Sequence, residues 1–140
     1  MPKPFPRVLT FPYTPRWGGN RQRETAEQFT VTLRDLTTVE RLDHQAALQE
    51  LLEKNGYGAD GVPREGANPI VYARASLEKQ CELVALRFVS VTGLSIEVGN
   101  EGGAVREIFG FEPMLTYCPD LVLELASRLL AGPDGEEAKN

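Results

Sequence analysis

Between Gln28 and Arg34 the chain alternates, with Phe29, Val31 and Leu33 apolar and Thr30, Thr32 and Arg34 polar. A period of two in a β-branched segment predicts a half-buried strand over 28–34. Residues 7–13 (RVLTFPY) predict a second strand. Pro12 places it at a sheet edge, where a missing N–H breaks no ladder. Thr37 and Glu40 have the spacing of a capping box, so a helix is expected over 38–54, with Gly56 positioned to end it. Residues 55–68 (NGYGADGVPREGAN) read as a loop. Pro69 opens a long helix predicted over 69–91 on the stripe Leu77, Cys81, Val84, Phe88 and Val91, with Gly93 as its stop. Residues 94–98 alternate weakly and suggest a short third strand, and 104–109 suggest a helical turn. Pro119 opens a last helix over 119–131, apolar at Leu121, Val122, Leu125, Ala126, Leu129 and Leu130.

These elements predict an α+β fold, mainly helical, in which a strand pair (7–13 with 28–34) packs on three or more helices. At 140 residues the chain has the length of one domain. The expected division is a basic, proline-rich extended arm over 1–23, a globular domain over 24–132 and a polar flexible tail over 133–140.

Charge sharpens that division. Residues 1–23 hold five basic residues and no acid, and five of the ten prolines, while the net charge is −5. The remainder therefore carries −10. Such an acidic body repels DNA, which argues against nucleic acid as the main partner. No segment approaches the ~20 apolar residues of a bilayer span, and MPKPFPRVLT lacks the apolar core of a secretory signal. The cytoplasm is the expected compartment.

Candidate chemistry is sparse. Gly56-Tyr57-Gly58-Ala59-Asp60-Gly61 spells a dinucleotide fingerprint, but a helix rather than a strand precedes it, so a helix cap and a connection are expected instead. His44 is the single histidine, and neither Cys81 nor Cys118 stands at metal-ligand spacing from it. No metal and no cofactor are expected. Cys118 sits just before a helix start, where a dipole can acidify a thiol, but no base accompanies it. A cap role is expected, with a reactive thiol and a small enzyme built on it as the minor alternative.

The order of elements resembles that of small proteins from tailed phages and prophages. Tyr13-Thr14-Pro15-Arg16-Trp17-Gly18-Gly19-Asn20-Arg21 precedes an alternating strand, a Thr-rich helix start at Thr37–Glu40, a long helix and a final leucine-rich helix at Pro119–Leu130. In this layout the chain is similar to the tail assembly chaperones. The resemblance implies a non-enzymatic protein that coats the tape measure protein and helps tail tube subunits polymerise around it. The leucine stripe of the last helix either closes a helical core or is held in part for a partner helix, and Trp17 poses the same choice between core and interface anchor. On the partner reading the client contacts fall on the last helix, at Leu121, Val122, Leu125 and Leu129, and around Trp17 and Asn20. The resemblance also leaves room for a homo-oligomer. Some members of that family have a longer form made by ribosomal frameshifting, and Ala138-Lys139-Asn140 can be encoded by a slippery heptamer. The competing expectation is a structural component of the virion, such as a head–tail connector or tail-completion subunit.

Overall fold

The computed structural model describes residue 4, residues 9–99 and residues 102–139, with 133–139 as backbone alone. The fold is α+β. Its strands are β1 (Thr10–Tyr13), β2 (Thr30–Arg34), β3 (Phe88–Thr92), β4 (Ser95–Val98) and β5 (Ala104–Glu107). Its α-helices are α1 (Thr38–Lys54), α2 (Pro69–Arg87), α3 (Phe111–Tyr117) and α4 (Pro119–Lys139). The chain divides into two compact units. The first comprises residues 1–35 and 87–124, and the second residues 36–86 and 125–140.

All five strands belong to the first unit. β2 lies between β1 and β3 in an antiparallel sheet, with Tyr13 opposite Val31 and Val91 opposite Val31 on the other side. The alternation of β2 therefore does what a half-buried strand requires: Val31 and Leu33 are completely buried while Arg34 is exposed. β1 is an edge strand and carries Pro12, which pairs with Thr32. β4 and β5 form a separate antiparallel hairpin. Phe29, Val91, Leu94, Ile108, Met114, Leu121 and Val122 complete the apolar core of this unit.

The second unit is helical. α1 begins with the expected capping box: Thr37 Oγ1 accepts from Glu40 N–H at 3.1 Å, and Glu40 Oε1 accepts from Thr37 N–H at 2.9 Å. It ends in a Schellman arrangement, in which Tyr57 N–H donates to Leu52 C=O and Gly56 N–H to Glu53 C=O. The Arg41 guanidinium of α1 donates through Nε to the Leu129 carbonyl of α4 at 2.9 Å. The buried apolar residues here are Leu36, Leu83, Val84, Leu125, Ala126 and Leu129, a small set for three helices.

Several expectations need correction. The helix expected over 69–91 stops at Arg87, and Phe88–Thr92 (FVSVT) is strand β3. Those residues continue the helical spacing by coincidence, but their β-branched content and their pairing with β2 decide the matter. The helical turn expected over 104–109 is β5, whose conformation is set by pairing with β4. Of the arm expected over 1–23, residues 1–3 and 5–8 lie outside the described residues. The part from Thr10 on is not an extended arm, because it forms β1 and a 3-10 segment, Trp17–Gln22. The strand expected over 7–13 is therefore described only as Thr10–Tyr13. At Gly132 the backbone leaves helical geometry (φ 74°, ψ 176°), where the last helix was expected to stop, and helical backbone then continues to Lys139.

Candidate interaction surfaces

The segment around Trp17 is held by side chains from inside its own unit. Glu124, on the first turns of α4, accepts three hydrogen bonds: from Tyr13 Oη at 2.7 Å, from Arg16 N–H at 2.8 Å and from Trp17 N–H at 2.9 Å. One carboxylate thus satisfies two backbone amides that no strand or helix would otherwise pair. Arg21 Nε donates to the Thr14 carbonyl at 2.7 Å, and the same guanidinium lies 5.4 Å from the centre of the Tyr13 ring.

Asn20 is only 1% exposed and bridges two stretches of backbone. Its Nδ2 donates to the carbonyls of Pro15 and Phe29 at 2.9 and 3.0 Å, and its Oδ1 accepts from Phe29 N–H at 2.9 Å. Asn20 therefore acts as an internal clamp rather than a contact for a partner. Gly18 and Gly19, with φ of +63° and +71°, let the chain turn tightly enough to present it. Trp17 is half-buried and meets Phe29 edge to face, with centroids 6.2 Å apart. It keeps part of its ring open to solvent.

Of the two readings of the last helix, core or client-facing stripe, the positions of Leu121, Val122, Leu125 and Leu129 match the first and contradict the second. All four are completely buried. Burial of one such side chain is worth about 2 kcal/mol, so releasing four would cost about 8 kcal/mol, comparable with the whole stability of an ordinary domain. The most apolar helix of a small protein is needed for its own cores. A client cannot use these residues without unfolding the protein.

The accessible aliphatic surface is elsewhere. α1 contains no buried residue at all, and Val39 and Leu42 are 66% and 57% exposed. On α2, Ile70 is 80% exposed, and Val71, Leu77 and Leu86 are also open. In the first unit, Val105 and Phe109 are exposed beside the β4–β5 hairpin. Sequence reasoning did not single out these positions on α1 and α2. The signal was present in Val39 and Leu42, three residues apart and so on one face of α1.

A groove of about 470 Å³ lies along β4. It is lined by Ser95, Ile96, Glu97, Val98 and Gly99 together with Trp17, Gly18, Arg23 and Tyr117.

The residues with candidate chemistry are accounted for locally. Cys118 is 1% exposed, and burial pushes its thiol pKa up, opposite to what an activated nucleophile needs. Cys81 is half-buried and is shifted the same way by the same cause. In the glycine-rich loop, Gly58 N–H donates to Val62 C=O, Gly61 N–H to Gly58 C=O and Val62 N–H to Asp60 Oδ1. These amides are engaged within the turn and do not form a phosphate cradle. His44 Nε2 is buried without a hydrogen-bond partner. Desolvation lowers the pKa of this imidazole, and Lys79 lowers it further, while Glu82 opposes the shift. Among the described residues no three His, Cys, Asp or Glu side chains gather as a metal site, and no helix is long and apolar enough to cross a membrane.

A scan against protein-family models found no match to the chain, and neither curated proteins nor solved structures matched it.

Proposed function

We propose that this protein works by binding another polypeptide, without covalent chemistry, as an assembly chaperone of the tailed-phage type. Its client would be the tape measure protein, and tail tube subunits would be recruited around the complex. The observation that carries this reading is the set of exposed aliphatic side chains on the helices of the second unit: Val39 and Leu42 on α1, and Ile70, Val71, Leu77 and Leu86 on α2. Helices that leave such side chains in water are suited to accept the apolar stripe of a client helix, with anchors spaced i, i+3, i+4 and i+7. The last helix, fully used in the cores, has no part in this reading.

The acidic balance of the chain supports the same role. A net charge of −5 gives a complex with a sticky client the like-charge repulsion that keeps it dispersed.

Co-expression with a tape measure protein from the same genome is the direct test. The expected result is co-purification and a larger soluble fraction of the client. A client that stays insoluble and does not co-purify rejects the proposal. Mass spectrometry of finished particles separates the chaperone from a structural tail component, since only the latter persists in the virion.

A further inference from the structure

We propose that the free edge of β4 is a docking site for a short extended peptide of a partner protein, one carrying an apolar side chain and an acidic one. This site is separate from the helical surface discussed above and does not depend on it.

The register of the β4–β5 hairpin identifies the edge. Ile108 N–H donates to Leu94 C=O at 2.9 Å, so Leu94 and Ile108 form a hydrogen-bonded pair. In an antiparallel ladder such pairs alternate with pairs that exchange no bonds. Ile96–Arg106 and Val98–Ala104 then point their backbone groups toward each other, whereas Ser95–Glu107 and Glu97–Val105 do not. Ser95 and Glu97 therefore direct their N–H and C=O groups away from β5. Among the described residues no other strand pairs with β4 on that side.

The groove of about 470 Å³ is lined by five consecutive residues, Ser95–Gly99, and by no residue of β5. Consecutive strand residues face opposite ways, so a groove that touches all of them without touching β5 runs along that free edge. A small ligand would use a few points along it. A row of alternating backbone donors and acceptors over four strand residues is instead the complement of another strand. β4 offers room for about four extended residues at ~3.3 Å each.

The opposite wall sets the side-chain chemistry. Trp17 and Tyr117 present partly open rings, which suit an apolar or aromatic side chain. Two charges also reach the groove, Arg23 and Glu97. Glu97 leans toward the hairpin turn, where its Oε1 is 3.2 Å from the position a Cβ on Gly103 would occupy. That leaves Arg23 as the charge facing an incoming chain. Among the described residues its backbone is engaged, through Asn20 and Gln28. A carboxylate on the peptide complements it.

Trp17 is the sole tryptophan and lies in the groove wall, so its emission reports occupancy directly. The probe is the blocked tetrapeptide acetyl-Glu-Val-Phe-Val-amide, titrated into the full chain. A saturable change in Trp17 emission is expected. N-methylation of the peptide at alternate amides, which removes edge pairing and keeps the side chains, should weaken binding about tenfold. Arg23→Glu should weaken the acidic peptide to a similar degree and favour its lysine counterpart. Equal affinity for the N-methylated peptide would show that side chains alone bind, as for a small-molecule site, and would overturn the proposal. So would no response at millimolar peptide, or an Arg23→Glu protein that prefers the acidic peptide unchanged. Should Arg23→Glu fail to fold, the N-methylation comparison on the unaltered protein decides the question.

Discussion

Asn20 replaces a missing piece of secondary structure. Its amide group answers Phe29 on both backbone positions, as a neighbouring strand would, and also takes the Pro15 carbonyl. Asn20→Ala would strand one buried N–H and weaken two carbonyls, each loss costing about 1–3 kcal/mol. A destabilisation of about 3 kcal/mol is expected, read as a lower urea midpoint at unchanged slope. Asn20→Asp should not rescue it, because a carboxylate keeps the Phe29 N–H but faces two carbonyls without a donor. His44 gives a second residue-scale prediction. Its folded-state pKa lies below the ordinary 6.5, first through desolvation and then through Lys79. The unfolded chain therefore binds the proton more readily. The stability this neutral imidazole contributes is fully present above pH 6.5 and is lost as pH falls from 6.5 toward the lowered value. His44→Gln should flatten the dependence of the urea midpoint on pH in that window. Neither role was legible in advance. The spacing of residues does not reveal that the Asn20 amide reaches the backbone of Pro15 and Phe29, five and nine positions away, and the charges that act on His44, Lys79 and Glu82, lie far along the chain. Glu124 is the clearest case. A single acid within Leu121–Leu130 was visible, yet its three donors lie more than a hundred positions away.

Elements governed by local chemistry were readable, and those governed by distant pairing were not. The capping box of α1, the proline start of α2 and the alternation of β2 are each written within a few residues, and each matches the structure. β3 was read as helix because Val84, Phe88 and Val91 sustain a helical stripe, and its β-branched residues become decisive only with the β2 ladder beside them. β5 (AVRE) carries no alternation and is fully exposed, so its strand character comes from β4 alone. α3 gave no signal in so short a segment. The end of α1 tests how far local chemistry dictates structure. Gly56 has φ +91°, and a Cβ there would sit 2.7 Å from Ala67 Cα. The obstacle is backbone, which cannot swing aside as a side-chain tip can. Gly56→Ala should therefore cost more than the ~1 kcal/mol of a left-handed alanine. About 2–3 kcal/mol is expected by thermal or urea melting. Gly61→Ala, with φ +80° but open space around it, should cost less, and the difference between the two isolates the contact with Ala67.

For the molecule as a whole, the decisive contrast is between leucines that are sealed and aliphatics that are not. The leucine-rich α4 supplies core, so its composition says little about partners. The less apolar α1 and α2 hold the side chains that water still reaches. This inversion has a physical origin: burial follows the widest continuous stripe, and α4 presents one at Leu121, Val122, Leu125, Ala126 and Leu129. Scattered positions such as Leu42 and Ile70 are left outside it. Substituting both, Leu42→Gln with Ile70→Gln, removes mainly exposed apolar area and touches no buried core residue. Folding stability should then change by no more than about 0.5 kcal/mol per site. Client capture should fall sharply, because the anchors of a docked helix are lost. Leu125→Gln is the opposing control, expected to unfold the protein rather than to weaken binding selectively, since it places an amide in a fully buried site. Circular dichroism and co-purification measured on the same samples separate the two effects. If the Leu42, Ile70 pair stays folded and retains its client, the helical surface is not the contact.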